Sequence, residues 1–326
     1  MPSALPHPLS PLALGTWAFA GDKFWGAQAE QDSIATVHAA LDAGVTLIDT
    51  APLYGDGLSE QVVGKALRGH RDRALLATKI SEGDLTAEKT TASCEASLRR
   101  LQTDRIDLLQ IHWPGTGETI GEVVSAMEKL RAAGKVRALG VCNFGPIHLG
   151  QLRASGHGWI TNQLPYNLLW RAIEFEITEP CRRDGLGILC YSPLLQGLLT
   201  GRFRTMDDVL VGRSRTRHFR GDRPMSRHGE TGHEALTFAT LDRIRAIAEK
   251  LGQPMADVAL AWLLHRPGVT SVIFGARTPQ QLHANVASGR LKLDAATMAE
   301  LNTATDELKV ALGPSADMWA GESRIR

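Results

Sequence analysis

Residues 45–57 read Val-Thr-Leu-Ile-Asp-Thr-Ala-Pro-Leu-Tyr-Gly-Asp-Gly. The first four are β-prone, the fifth is the carboxylate Asp49, and Pro52, Gly55 and Gly57 then turn the chain sharply. Working outward, similar apolar segments recur at 12–16, 74–79, 106–112, 136–142, 159–163, 186–191 and 270–274. With 45–49 these make about eight strands, and the first seven begin about 23 to 33 residues apart, the length of one strand plus one crossover helix. Helical periodicity fills the gaps, as in Ile34, Val37, Leu41 and in Ile120, Val123, Val124, Met127, Leu130. Thr119 with Glu122 and Thr278 with Gln281 fit the capping box, and Pro279 stands at the favoured first helical position. Strands and helices alternating in this number predict an α/β chain closed into a (β/α)8 TIM barrel rather than an open doubly wound sheet. The long interval before the eighth strand holds an irregular polar stretch, 201–232, and helix-like residues 236–251, read as a lid loop and an added helix. Residues 295–308 predict a C-terminal helix, and with no linker-like break the whole of 1–326 is expected to be a single domain.

With 43% hydrophobic and 22% charged residues, and Lys+Arg 36 against Asp+Glu 35, the chain is neither disordered in composition nor basic enough for nucleic acid as its main partner. No apolar run approaches the roughly 18 residues that span a bilayer, and the start lacks the basic and apolar pattern of a secretory signal. Cys94, Cys142, Cys181 and Cys190 form no CxxC pair, so free thiols, no metal site and a cytoplasmic protein without a membrane partner are expected.

In barrels of this type the loops after the strand ends converge on one mouth. The strands here end in Asp49, Lys79, His112, Cys142 with Asn143, Gln163 and Tyr191, each polar after a mostly apolar run. A phenol with an ordinary pKa of about 10 is a poor acid at neutral pH, but a neighbouring ammonium favours phenolate, and a carboxylate holds the ammonium. Asp49, Lys79 and Tyr54 fit that relay, with the His112 imidazole oriented to hydrogen-bond a substrate carbonyl. Trp17, Phe19, Trp25, Trp113, Phe144 and Trp170 fall in or near mouth loops, where they would wall an apolar slot.

The same residues lie in stretches that resemble the aldo-keto reductases from near Leu12 to near Asn285. These include Leu-Ala-Leu-Gly-Thr-Trp at 12–17, Leu-Ile-Asp-Thr-Ala-Pro-Leu-Tyr-Gly at 47–55, Ala-Thr-Lys at 77–79 and Gln-Ile-His-Trp at 110–113. Val-Cys-Asn-Phe at 141–144, Tyr-Ser-Pro-Leu-Leu-Gln-Gly-Leu-Leu-Thr-Gly at 191–201 and Phe-Gly-Ala-Arg-Thr-Pro-Gln-Gln-Leu at 274–282 complete the resemblance, which is nearest to bacterial aldehyde-reducing members. It implies a metal-free, NADPH-dependent reduction of an aldehyde or ketone. Tyr54 would be the general acid, Lys79 would lower its pKa, Asp49 would hold Lys79, and His112 would position the carbonyl, with Trp17, Trp25 and Trp113 against the substrate.

For the cofactor the resemblance implies Tyr191 stacked on the nicotinamide, Asn143 and Gln163 at its carboxamide, and Gly15, Thr16, Trp17 and Asp49 alongside. Ser192, Pro193, Leu194, Gly197, Leu199, Gly201 and Arg202 would run along the pyrophosphate. Gly275, Ala276, Arg277, Thr278, Gln281 and Asn285 would meet the 2′-phosphate and adenine, where a helix N-terminus and a forked guanidinium suit an anion. Neither GxGxxG after an early strand nor GxxxxGK[ST] occurs, so the cofactor is not held by the usual Gly-rich loops. Two positions depart from many members: Cys142 in place of Ser, and Gly275 in place of Lys, so that NADP rather than NAD rests on Arg277. The alternative reading is a cofactor-binding regulatory barrel with little turnover, as the potassium-channel β-subunit relatives suggest. Eight arginines between Arg202 and Arg227 could form a lid over phosphates, a collector of substrate anions or a solvated loop. His218, His228 and His233 lack metal-site spacing.

Overall fold

The apolar runs become parallel strands hydrogen-bonded in sequence order, with the last closing back on the first. They are β1 (Leu12–Gly15), β2 (Leu47–Asp49), β3 (Leu75–Ile80), β4 (Ile106–Ile111), β5 (Val136–Cys142), β6 (Trp159–Pro165), β7 (Gly187–Tyr191) and β8 (Val269–Gly275). This is a computed structural model, and it describes residues 5–22, 24–81, 85–115, 120–156 and 158–326. Around the barrel run α1 (Glu30–Asp42), α2 (Leu58–Leu67), α3 (Ala87–Leu101), α4 (Ile120–Ala132), α5 (Pro146–Ala154), α6 (Ile173–Glu176) and α7 (Thr178–Arg183). Then follow α8 (Glu234–Lys250), α9 (Met255–Leu264), α10 (Pro279–Ser288) and α11 (Ala295–Leu312). None of these helices is long and apolar enough to cross a membrane.

The two-residue period of a strand sorts the barrel interior into layers. Ala13, Leu47, Leu75, Ala77, Leu108, Ala138, Leu189 and Ile273 pack as an inner apolar cluster, joined by Leu5. Two residues further along the same faces stand Asp49 after Leu47, Lys79 after Ala77, Gln110 after Leu108 and Tyr191 after Leu189. The alternation that fills the barrel therefore also lays a polar layer across its C-terminal end.

The expected Thr119–Glu122 capping box falls on Thr119, which lies outside the described residues, and other expectations need correction. At α10, Thr278 accepts a hydrogen bond from the Gln281 amide, but Gln281 Oε1 takes the Arg277 amide instead of closing a reciprocal box on Thr278. Helix α9 went unrecognised because it is apolar nearly all round, with Val258 to Leu263 buried, and so shows no amphipathic stripe. The lid loop is solvated only in part: residues 214–219 are buried, and it contains the short 3₁₀ turns Met206–Asp208 and Val211–Arg213. Arg217 bonds Glu230 and the carbonyls of Ser315 and Leu312, so it ties the lid to the segment after α11.

That segment is positioned by α11, which Glu174 anchors. The Glu174 carboxylate accepts from Arg171, Arg266, Lys309 on α11 and the Tyr166 hydroxyl at 2.7 Å. Burial pushes its pKa up, but hydrogen bonds from Arg171, Tyr166 and Lys309 outweigh burial and hold it down at about 2. A carboxylate depressed in the folded state stabilises above its ordinary pKa and ceases to do so as pH falls through the folded value. Glu174→Gln is therefore expected to cost about 3 kcal/mol at neutral pH. In urea melts the gap from wild type should narrow as pH drops below about 4.5; a pH-independent gap would mean that the charge is not what α11 depends on.

Candidate active site

Lys79 is fully buried, and an ammonium without acceptors there would be costly. Its three N–H groups have three acceptors: Asp49 Oδ2 at 2.7 Å, the Thr50 carbonyl at 2.9 Å and Tyr54 Oη at 3.5 Å. Asp49 Oδ1 accepts from Gln163 Nε2 at 2.9 Å and Gln110 Nε2 at 3.4 Å, so both carboxylate oxygens are engaged. Burial alone would pull the Lys79 pKa down; the Asp49 carboxylate and the Tyr54 oxygen override it and the net direction is up. The lysine stays charged.

The expected acidification of Tyr54 is not what this arrangement produces. Burial pushes the phenol up to about 12, outweighing the opposing pull of Lys79, and Asp49 adds to the upward push. Tyr54 is thus a protonated donor at neutral pH. His112 meets its ring edge-on at 6.2 Å. Burial, then Lys79 and Arg324, push the imidazole well below its usual range, so it is neutral, and Nδ1 has no partner among the described residues. Two neutral hydrogen-bonding groups side by side at a barrel mouth suit one polar oxygen of a ligand.

Aromatic walls surround this pair. Trp17 stacks on Tyr54 at 6.0 Å, Trp25 meets Trp17 edge-on at 5.5 Å, and Arg324 lies 3.7 Å over Trp113. Phe19, Phe144 and Trp170 are packed in the core and take no part in the wall.

The other predicted residues divide by what already occupies them. Asn143, in the left-handed region at φ 63, donates to the His112 carbonyl and accepts from the Tyr191 hydroxyl, both at 3.0 Å. Gln163 is committed through Nε2 to Asp49, leaving Oε1 to accept. The Thr16 hydroxyl donates to the Asp49 carbonyl and is buried against Ser59, so it supports the end of β2 and is withdrawn from any ligand. Leu199 is likewise buried beneath its loop. Ser192, Leu195, Gln196 and Gly197 all have positive φ, a run that turns successive amides as in anion-binding nests. Arg202 is exposed and lies directly on this turn; a Cβ on Gly197 would sit 2.3 Å from its Nη2.

Beyond β8 the corner is self-bonded. Arg277 donates to Gln28 Oε1 at 2.7 Å, the Trp25 carbonyl at 2.9 Å and the Ala27 carbonyl, while Asn285 donates to the Gly275 carbonyl. Among the described residues nothing lies within 4 Å of where a Gly275 Cβ would stand. Arg213 reaches the same corner from the lid, 5.7 Å over Trp25.

Sequence reasoning missed Gln110, Gln28, Asp22 and the tail residues Asp317, Trp319 and Arg324. Gln110 was findable, since period two places it on the face of Lys79's neighbour strand that also carries Leu108 inward. The tail carried no periodic signal. Among the described residues no group of three or more His, Cys, Asp or Glu is placed to hold a metal ion.

Residues 11–306 match the sequence pattern of the Aldo/keto reductase family. The chain belongs to that family. It is 37% identical over 306 residues to Aldo-keto reductase YhdN of Bacillus subtilis (strain 168), covering 90% of this chain and 89% of the relative. It is 32% identical over 325 residues to an NADH-specific methylglyoxal reductase of Escherichia coli (strain K12), covering 91% and 96%. The crystal structure of an aldo-keto reductase from Klebsiella pneumoniae in complex with NADPH superposes with TM-score 0.71 at 32% identity and covers 90% of each chain.

Tyr54, Tyr166 and Tyr191 are the three tyrosines of this aldo/keto reductase, and burial raises the pKa of each. A spectrophotometric titration of the folded protein should show no tyrosinate until about pH 11. One phenol ionising near or below its ordinary value, and lost in Tyr54→Phe, would mean that Lys79 prevails over burial.

Proposed function

We propose that this aldo/keto reductase is an NADPH-dependent carbonyl reductase in which Tyr54 gives its proton to the carbonyl oxygen of an aldehyde or ketone. The observation that carries the reading is the buried Asp49–Lys79 pair set 3.5 Å from the hydroxyl of a neutral phenol. The cofactor, when bound, supplies the hydride. An alkoxide is a stronger base than phenolate, so a protonated Tyr54 is a competent acid. As its proton leaves, negative charge grows on Tyr54 Oη beside an ammonium already in place, so Lys79 stabilises the transition state more than the resting phenol. Asp49, held by Gln163 and Gln110, keeps that ammonium fixed, and neutral His112 orients the oxygen. Trp17, Trp25 and Trp113 keep water from the reacting carbon.

The cofactor fits the residues present. Tyr191, oriented by its bond to Asn143, offers a ring face to the nicotinamide, and Gln163 Oε1 and the second Asn143 amide proton remain for the carboxamide. The left-handed turn with Ser192 and Gly197 and the arginine Arg202 suit a pyrophosphate. The open space at Gly275 before the α10 N-terminus suits the 2′-phosphate end, with Ala276, Thr278, Gln281 and Asn285 shaping the corner and Arg277 and Arg213 providing charge. We treat residues 1–326 as one working unit and place it in the cytoplasm, since all four cysteines are unpaired and buried.

Tyr54→Phe removes the proton donor without touching the cofactor corner. It should cut NADPH oxidation by methylglyoxal or butanal at least about 100-fold while the NADPH dissociation constant stays within about twofold. Retained turnover would refute the acid role. Arg277→Ala should weaken NADPH more than NADH, by about tenfold relative to it; equal losses would assign Arg277 to tying the 25–28 loop alone.

A further inference from the structure

Among the described residues, Arg215 is the most enclosed of the mouth arginines that have no counter-ion. It is only 8% exposed, and its guanidinium lies 4.1 Å from the Phe24 ring centroid, 4.6 Å from Trp319 and 5.6 Å from Trp17. Its hydrogen bond among the described residues runs from Nε to the Gly212 carbonyl at 3.1 Å, so the two terminal amino groups have no acceptor. Arg202, Arg213 and Arg227 also lack an ion pair among the described residues but are more exposed, whereas three other neighbours have their donors taken up. Arg324 grips both oxygens of Asp317, Arg217 grips Glu230, and Arg277 has three acceptors. Asp22 is the nearest carboxylate in electrostatic effect, but its oxygens already accept from Trp17 Nε1 and from the amides of Phe24 and Trp25. Arg227 adds further positive charge to the same place. Burial and Arg227 pull the Arg215 pKa down to about 10, which still leaves it charged at neutral pH.

A guanidinium this enclosed, with its fork open only toward water, is well placed to receive an anion that reaches it. Aromatic faces compensate part of the charge and leave the in-plane donors free. The position is decisive: one face of Trp17 stacks on Tyr54, and Arg215 lies against the same indole. The unused donors therefore stand one ring away from the proposed proton donor.

We propose that Arg215 is a specificity-determining residue that receives a carboxylate or phosphate carried by the substrate at a short distance from its carbonyl. This rests on the carbonyl-reductase reading above and narrows it to anionic aldehydes and ketones. Matched pairs test it: succinic semialdehyde against butanal, and glycolaldehyde phosphate against glycolaldehyde, with the full chain and NADPH. The charged member of at least one pair should have the higher kcat/KM by about tenfold or more, and the pair that shows the preference identifies the anion as carboxylate or phosphate. Arg215→Met should lower kcat/KM for that charged substrate by at least about 30-fold and change its neutral partner by no more than about twofold. Arg215→Lys should recover part of the difference.

A second readout is independent of turnover. Succinate and inorganic phosphate, titrated separately, should change the intrinsic tryptophan fluorescence, to which Trp17 and Trp319 beside Arg215 contribute, saturably in wild type for the preferred anion and not in Arg215→Met. Equal losses on charged and neutral substrates would assign Arg215 to packing and overturn the proposal, as would wild type showing no preference in either pair. Absence of all turnover together with an Arg215-dependent fluorescence change would instead remove the reductase reading and leave the anion site standing.

Discussion

A lysine ammonium sealed inside a barrel must find three acceptors, and the whole mouth of this protein is arranged around the three that Lys79 finds. Asp49 is at the end of β2 because the strand before it is apolar, and its second oxygen is held by Gln163 and Gln110 from across the barrel. The Asp49 carbonyl is held in turn by Thr16, which Ser59 supports. Tyr54 comes to the ammonium on a loop that doubles back through Gly55 at φ 61, where a side chain would press to 2.9 Å from Ala20 Cβ. A buried ion pair is a poor source of stability, because desolvation takes back most of its Coulomb energy. Its retention at this place makes sense as fixed charge aimed at one hydroxyl.

The second organising feature is the closure of the mouth by chain segments remote in sequence. The lid between β7 and α8 and the residues after α11 meet over the polar layer, locked to each other by Arg217 and to the barrel by the Glu174 cluster. Arginine over aromatic rings recurs at this seam, with Arg215 on Trp319 and Arg324 on Trp113. Such contacts keep a cation near an apolar wall without using up its hydrogen-bond donors. The mouth consequently combines aromatic walls with arginine side chains.

Much of the site was legible because barrel geometry converts strand position into location. Asp49, Lys79 and His112 are strand-end residues, and once eight strands are recognised they must share one rim. Where the reading failed, the cause was competition between local and global terms. The Thr278–Gln281 pair looks like a capping box until Arg277 offers its amide to the same glutamine. Phe19, Phe144 and Trp170 look like mouth residues until packing draws them inward. Tyr54 looks acidified until burial is weighed against the ammonium, and burial is larger. Helix α9 has no stripe to read because nearly every side of it is covered.

By itself the sequence determined the closed barrel, the family and the rim that carries Asp49, Tyr54, Lys79 and His112, since these follow from period, spacing and motif, all properties of short range along the chain. Only the tertiary structure decided the protonation of Tyr54, the commitment of Thr16, Asn143 and Gln163 to protein partners, and the isolation of Arg215 among three aromatic rings. Desolvation and the saturation of donors and acceptors depend on which distant atoms arrive at a given point, and no local pattern in a chain records that.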